Sequence, residues 1–458
     1  MIPVVTPDEM RRLDDAAIAN GTPLEVLVER AGWAVARHAR EMLRGTYGRR
    51  VTIVAGPGHN GDDGRVAARW LAESGVKVDV LDARHLPSTL ADTDLVIDAA
   101  FGTGFRGEWN PPVTTAPVLA VDLPTGVDGL TGRAHGAPWS CARTVTFAAA
   151  KPGHFFHDGA RLCGEIAVAD IGLDVSATRA GIVTACDVVT LWPRRRRDDH
   201  KWKHGALVVA GSPGMTGASA LVSEAAMRSG AGIVHLVSPG VDSGPVHPIE
   251  VVRRQVGATW SDDVLAEDSR RFAVVTIGPG LGRRPDTMRE VLRVIADSDR
   301  ALVVDGDALH AIDVETLARR RAPTILTPHD GEFIALTGAA PGDDRVAAAR
   351  DLAARSGAVV LLKGPVTVVA DASGEVRLVT NGDERLATAG SGDVLAGVVT
   401  GALAGGASPF EAASLAAWVC AEAGRRRRRH GSIASDVLAA VPSVLDDLMG
   451  SAGQTVER

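Results

Sequence analysis

Short apolar runs ending in glycine or aspartate alternate with amphipathic stretches along most of the chain. Residues 8–43 carry apolar positions at helical spacing in two stretches, with Thr6 and Thr22 placed as N-caps, and predict two helices. An apolar run over 50–56 then enters a glycine-rich turn and a helix over 64–75. Further runs over 76–82, 94–102, 116–124 and 142–149 predict strands. The pattern fades between 175 and 200, where the chain is charged and irregular, and restarts over 206–212. It continues through 232–238, 272–280, 301–307, 323–329, 358–364 and 367–371, with no sequence repeat between the halves. This alternation predicts the α/β class, with parallel sheets between helices in two domains.

Length agrees with that division, since 458 residues exceed one ordinary domain of roughly 150 residues. The net charge of −7 argues against a nucleic-acid partner, which needs a basic field. The arginine runs 194–197 and 425–429 read as a linker and a helix C-terminus, where cations meet the helix dipole favourably. Four scattered cysteines argue against a disulfide or zinc framework. The start lacks a secretory leader, and no apolar run of about 18 residues occurs, so a cytoplasmic protein without a membrane partner is expected. Lysine occurs only at 77, 151, 201, 203 and 363. A chain so biased towards arginine keeps lysine where a compact ammonium is needed.

Gly56, Gly58 and Gly61 satisfy GxGxxG between a strand and a helix, and Asp82 lies where a ribose-binding acid belongs. Asp62 and Asp63 speak against a dinucleotide there, because they occupy the turn that would hold its pyrophosphate. Like charges about 4 Å apart cost roughly 4 kcal/mol at an effective dielectric of 20. A hard cation among oxygen ligands reverses that penalty, and Asp98, Asp122 and Thr125 offer oxygens at other strand ends.

The segments "GPGHNGDDG", "DAAFGTGFRG", "VDLPTGVDG" and "TFAAAKPGH" resemble, in order, the motifs of the NAD(P)H-hydrate epimerase family. That family interconverts the R and S epimers of hydrated NADH and NADPH. The resemblance implies a Rossmann-like αβα domain over 1–178. It places His59, Asn60, Gly61, Asp62 and Asp63, the loop Gly102, Thr103, Gly104, Phe105, Arg106, Gly107 and Glu108, and Asp122 on the hydrated cofactor. It assigns potassium to Asn60, Asp98 and Thr125. The family usually has asparagine at 59, glycine at 62, lysine at 106 and serine at 125. Thr125 keeps the hydroxyl and Arg106 the charge, whereas Asp62 bears on how the loop meets its ligand. Asp122 is the candidate acid or base, with Lys151 either its electrostatic partner or a surface lysine.

In "ATAGSGDVLAG", residues 387–397, small residues let backbone N–H groups gather an anion at a helix start. Asp393 follows where a hydroxyl attacking phosphorus must lose its proton. The stretch resembles the anion-hole motif of the ribokinase-like superfamily. Together with "HKWKHGALVVAGSPGMTG", "TIGPGLG", "LTPHDGEF" and "LLKGPVT", it resembles the ADP-dependent NAD(P)H-hydrate dehydratase family. Lys201 and Lys203 open the first of these segments. The resemblance implies a ribokinase-like αβα domain over 183–451. It places Ala218, Gly280, His329 and Asp393 on the hydrated nicotinamide, and Lys363, Gly364, Pro365, Val366, Thr367 and Gly392 on ADP. Ala210 and Gly306 depart from the usual pattern.

The expectation is a bifunctional repair enzyme with potassium at the epimerase site and ADP as co-substrate, magnesium accompanying the nucleotide. Its partners would be small molecules, and a homo-oligomer is expected. An ATP-dependent vitamin or sugar kinase with an appended nucleotide-binding domain is the alternative enzyme. A non-catalytic nucleotide sensor is the alternative outside enzymes.

Overall fold

The computed structural model describes residues 1–241 and 248–454. The chain divides into two compact units, Ile2–Ala180 and the residues from Gly181 onward. In the first, α1 (Pro7–Ala19) and α2 (Leu24–Leu43) precede the sheet. Thr6 caps α1 as expected: its hydroxyl accepts the Glu9 N–H, and the Glu9 carboxylate accepts the Thr6 N–H. The cap of α2 is Pro23, not Thr22. The proline ring fixes a φ suited to helix entry, and no side chain bonds the first turn.

Six parallel strands follow: β1 (Arg50–Ala55), β2 (Lys77–Asp82), β3 (Leu95–Ala99), β4 (Val118–Val121), β5 (Arg143–Phe147) and β6 (Glu165–Ala169), in the order β2-β1-β3-β4-β5-β6. Helix α3 (His59–Glu73) starts earlier than the apolar pattern predicts, because its first turn is polar and glycine-rich. Val51, Ile53 and Ala55 pack under Val35 and Ala39 of α2 and Leu71 of α3. Val54 and Val96 face the other way, into a cluster with Trp109 and Trp139. Burial on both faces is why the inner strands β1 and β4 read as near-continuous apolar runs, while the edge strands β2 and β6 are partly exposed.

The second unit contains β7 (Gly205–Val209), α4 (Thr216–Ser229), β8 (Ile233–Val237), β9 (Val252–Arg254), β10 (Val274–Ile277), β11 (Ala301–Val304), β12 (Thr324–Leu326), α5 (Asp330–Thr337), β13 (Val359–Leu362), β14 (Thr367–Ala370) and β15 (Val376–Val379). These strands run β15-β14-β13-β12-β11-β10-β7-β8-β9, antiparallel only where β14 meets β13 and β15. Helices α6 (Ser391–Ala404), α7 (Pro409–Arg425) and α8 (Ala434–Gln454) follow. Helix α6 lies backbone to backbone on α4. A Cβ at Gly397 would come 2.4 Å from the Val222 carbonyl, and one at Gly401 would come 2.0 Å from Ser229 Oγ. Thr400 Oγ1 reaches Thr276 Oγ1 of β10 at 2.5 Å, tying α6 to the sheet. These contacts fix where the first turn of α6 sits.

Candidate active sites

In each unit the loops leaving the carboxyl ends of parallel strands converge, as in other open α/β sheets. In the N-terminal unit the glycine fingerprint serves packing. A Cβ at Gly56 would lie 1.7 Å from the Ala100 carbonyl, and one at Gly61 would lie 2.0 Å from the Gly56 carbonyl. Gly58 alone meets nothing within 4 Å, and it caps α3. Asp82 is engaged by the Arg84 guanidinium at 2.7 and 3.0 Å. Asp62 lies half-exposed and pairs with Arg65 at 3.0 Å, while the other Arg65 amino group donates to the Gly56 carbonyl. Its charge is therefore met locally. Asp63 is buried, and its carboxyl is held well above the usual range by burial first, then by Asp122, Asp62 and Asp14.

Asp98 is wholly buried at the end of β3. It accepts the Thr125 N–H at 2.9 Å and the Thr125 hydroxyl at 2.7 Å. No cationic side chain is shown bonded to it among the described residues, and burial pushes its pKa up to about 6. The Thr125 hydroxyl also accepts the Phe101 N–H, and Asn60 Oδ1 lies 3.5 Å from the Cβ position of Gly102. The Asn60 amide nitrogen is buried without a partner. In the loop beyond, Phe105 stacks on Phe101 at 4.7 Å. Thr103 packs near Gly129, while Gly104, Arg106, Gly107 and Glu108 are exposed. Asp14, on α1, comes close enough to Lys151, Asp122 and His59 for their charges to interact.

Lys151 is not a surface residue: it is 1% exposed. Its Nζ donates to Asp122 Oδ1 at 2.6 Å and to the Thr146 hydroxyl at 2.8 Å, and that hydroxyl donates to the same Asp122 oxygen at 2.9 Å. Burial alone would raise the Asp122 pKa, but the Lys151 ammonium outweighs it and holds the carboxyl below its usual value. Asp14 and Thr146 escaped the sequence reading, since an acid on an amphipathic helix and a threonine inside a strand carry no local signal.

In the C-terminal unit Gly390 caps α6 at φ 88°, a left-handed conformation that favours glycine, and Asp393 stands in the first turn. Burial raises the Asp393 pKa to about 6; Asp305 and Asp307 add to the shift and Lys363 opposes it. Lys363 Nζ lies 3.7 Å from the Cβ position of Gly392, at the helix terminus. It is held by Asp305 at 3.0 Å and Glu332 at 3.4 Å. Burial would lower the Lys363 pKa, yet those two carboxylates outweigh it and raise it.

His329 caps α5 by accepting the Gly331 and Glu332 N–H groups at Nδ1, and its Nε2 lies 3.5 Å from Glu332 Oε1. A Cβ on Gly280 would lie 2.8 Å from that of Ala218, so these two adjoin. Gly364 sits against the Arg345 guanidinium, which donates to the Lys363 carbonyl at 2.8 Å. Gly364 and Pro365 are exposed, Val366 is buried, and Thr367 opens β14. Thus Lys363, Gly392 and Asp393 come together, and His329 joins them through Glu332. Lys201 and Lys203 do not. They precede the amino end of β7, opposite the site loops, where Lys203 pairs with Asp199. The acids Asp305 and Asp307 were missed, although a doublet at a strand end was the available signal.

Two family models match the chain. One, NAD(P)H-hydrate dehydratase, matches residues 206–441, and the other, YjeF-related protein N-terminus, matches 24–90 and 81–153. A bifunctional NAD(P)H-hydrate repair enzyme of Moorella thermoacetica is 35% identical, aligned over 97% of each chain. The chain belongs to the bifunctional NAD(P)H-hydrate repair enzyme family. Another member, from Mycobacterium tuberculosis, is 37% identical over 88% of this chain and 89% of its own length. Among solved structures, an ADP/ATP-dependent NAD(P)H-hydrate dehydratase of Bacillus subtilis, co-crystallised with ATP and Mg2+, superposes with a TM-score of 0.52. It is 29% identical and is aligned over 58% of this chain and 98% of its own. A ribokinase-like protein of Enterococcus faecalis at 24% identity and TM-score 0.53 shares the fold of the same portion. Membership of the repair family accounts for both halves of the chain, which a vitamin or sugar kinase would not.

Proposed function

We propose that the N-terminal unit, corresponding to the domain expected over 1–178, exchanges the R and S epimers of hydrated NADH and NADPH. The C-terminal unit, expected over 183–451, dehydrates the S hydrate at the expense of ADP. The observation that carries the second step is the convergence of Asp393, Lys363 and the Gly392 backbone at the start of α6. A phosphoryl group drawn to that helix terminus meets oriented N–H groups and an ammonium. Asp393 takes the proton of the attacking substrate hydroxyl. The hydroxyl oxygen gains the β-phosphoryl group, and AMP leaves. The ring nitrogen then expels phosphate, a far better leaving group than hydroxide, and loss of the adjacent C–H proton restores the dihydropyridine.

The adjoining Ala218 and Gly280 line the side proposed for the nicotinamide, with His329 at its rim. The exposed turn Gly364–Pro365, with Lys363, Val366 and Thr367, borders the side proposed for adenosine phosphates. The co-crystallisation of the Bacillus subtilis relative with ATP and Mg2+ supports a magnesium nucleotide as co-substrate.

At the first site the substrate lies among His59 to Asp63, the 102–108 loop and Asp122. Reversible loss and return of the hydrate hydroxyl needs one group that gives and takes a proton, and Asp122 is placed to do so. Potassium fits Asn60, Asp98 and Thr125. That set is all oxygen, and its carboxylate is fully buried with no cationic side chain bonded to it among the described residues. When bound, the ion would supply the positive counter-charge to the buried Asp98 carboxylate.

The test is recovery of reduced-nicotinamide absorbance from R and S hydrates of NADH and NADPH, given ADP or ATP, with AMP or ADP and phosphate quantified. Absence of recovery from the S hydrate with either nucleotide overturns the reading.

A further inference from the structure

Asp122 occupies a conformation that a non-glycine residue rarely adopts, at φ 65°. Something must hold it there. Its carboxylate is anchored on one oxygen only: Lys151 and Thr146 both donate to Oδ1. No partner of Oδ2 is shown among the described residues. Its backbone is held separately: its N–H donates to the Val145 carbonyl at 2.7 Å, and its carbonyl accepts from His154. The Lys151 N–H donates to His154 Nδ1 at 3.0 Å, so the ring proton sits on Nε2, and Nε2 donates to the Asp122 carbonyl at 2.8 Å. The ring is buried, and burial, followed by the Lys151 charge, lowers its pKa to about 4, so it remains a neutral donor at physiological pH.

Resting on the proposed epimer exchange, we infer that His154 is a positioning residue for that reaction: by pinning the carbonyl of Asp122 it keeps Oδ1 on Lys151 and leaves Oδ2 for the substrate hydroxyl. The imidazole touches no reacting atom. It closes a loop in which residues 151 and 154 grip both ends of residue 122, one by charge and one through the main chain. The groups facing the Asp122 carboxylate are then Lys151 from the segment after β5, Asp14 from α1 and Asp63 from α3. Releasing the carbonyl lets the carboxylate drift from the one cation towards the two acids.

The experiment compares the wild-type full chain with His154→Ala and His154→Gln, measuring kcat and KM for R-to-S exchange from about pH 2 to about 9, so that the acidic limb of the lowered Asp122 carboxyl falls inside the window. Dehydration of the S hydrate with ADP serves as a check on the rest of each chain. His154→Ala should lower kcat at least tenfold with KM within about threefold, and should move the acidic limb of the profile to higher pH by half a unit or more. His154→Gln, whose amide can still donate to the carbonyl, should keep the limb at its wild-type position with kcat within about fivefold. An unchanged kcat in His154→Ala, or a lower kcat with the limb unmoved, overturns the inference. If His154→Ala does not fold, a His154→Gln variant that folds yet loses more than about a hundredfold with the limb unmoved also overturns it. Absence of exchange by the wild-type chain would instead fell the reading on which the inference rests.

Discussion

Lys363 and the buried Asp305 form a part-buried ion pair, Nζ to Oδ1 at 3.0 Å, and the same carboxylate oxygen accepts the Thr327 hydroxyl at 2.6 Å. The pair stands at the terminus of α6, so one ammonium balances two buried acids and also fronts the proposed phosphate position. Removing it strands Asp305 and Glu332. Lys363→Met should cost about 3–5 kcal/mol in denaturant unfolding of the C-terminal unit. It should also abolish dehydration, and Lys363→Arg should not rescue it, because a planar guanidinium cannot replace a point charge here. Wild-type stability in Lys363→Met would contradict this.

Asp393 must be ionised to accept a proton, and its pKa is raised to about 6. The working form is therefore lost as pH falls through that value. The rate of dehydration under saturating ADP should drop about tenfold per unit below pH 6. Asp393→Asn should abolish dehydration while epimer exchange, measured by chromatography of the two hydrates, continues. Loss of both reactions in the folded variant would argue against separate sites.

Asp98 is buried with no cationic side chain bonded to it among the described residues. Potassium should raise the thermal midpoint of the N-terminal unit and accelerate exchange, and lithium should do neither. Asp98→Asn should remove the potassium response in both readouts. A response that survives the substitution would place the ion elsewhere.

Asp62 departs from the family's usual glycine, yet its carboxylate pairs with Arg65 on a half-exposed helix face. Asp62→Gly should cost about 1 kcal/mol, through lost helix propensity and a weak surface pair. Exchange should stay within about twofold of wild type. A loss beyond tenfold would show that this side chain meets the ligand directly.

The central strands were legible because their residues are buried on both faces and so form continuous apolar runs, whereas β6, β9 and β15 were missed, the first two being short and partly exposed; Thr6 was legible as a local capping signal. Helix α3 began earlier than its apolar positions suggest, since a polar turn carries no periodicity. The cap before α2 was misassigned because a threonine beside a proline looks like a cap, whereas the proline's own geometry does the work. Asp393 and Lys363 were found because their neighbours in sequence form a recognisable loop. The choice between a surface and a buried Lys151 depended on Asp122, 29 residues away, and no local pattern encodes that distance. The scarcity of lysine drew attention to 151 and 363, which the structure pairs with Asp122 and Asp305, and equally to 201 and 203, which lie outside the site loops.

The glycine seam between α4 and α6 has a bearing on how this catalyst can change. Ala218, beside the proposed nicotinamide, rides on one of those helices, and Asp393, beside the proposed phosphoryl group, rides on the other. The reach from acceptor to donor is thus set by interlocked main chain, a rigid gauge that leaves the outer turns free to diversify for new adenosine or nicotinamide decorations without respacing the reacting pair.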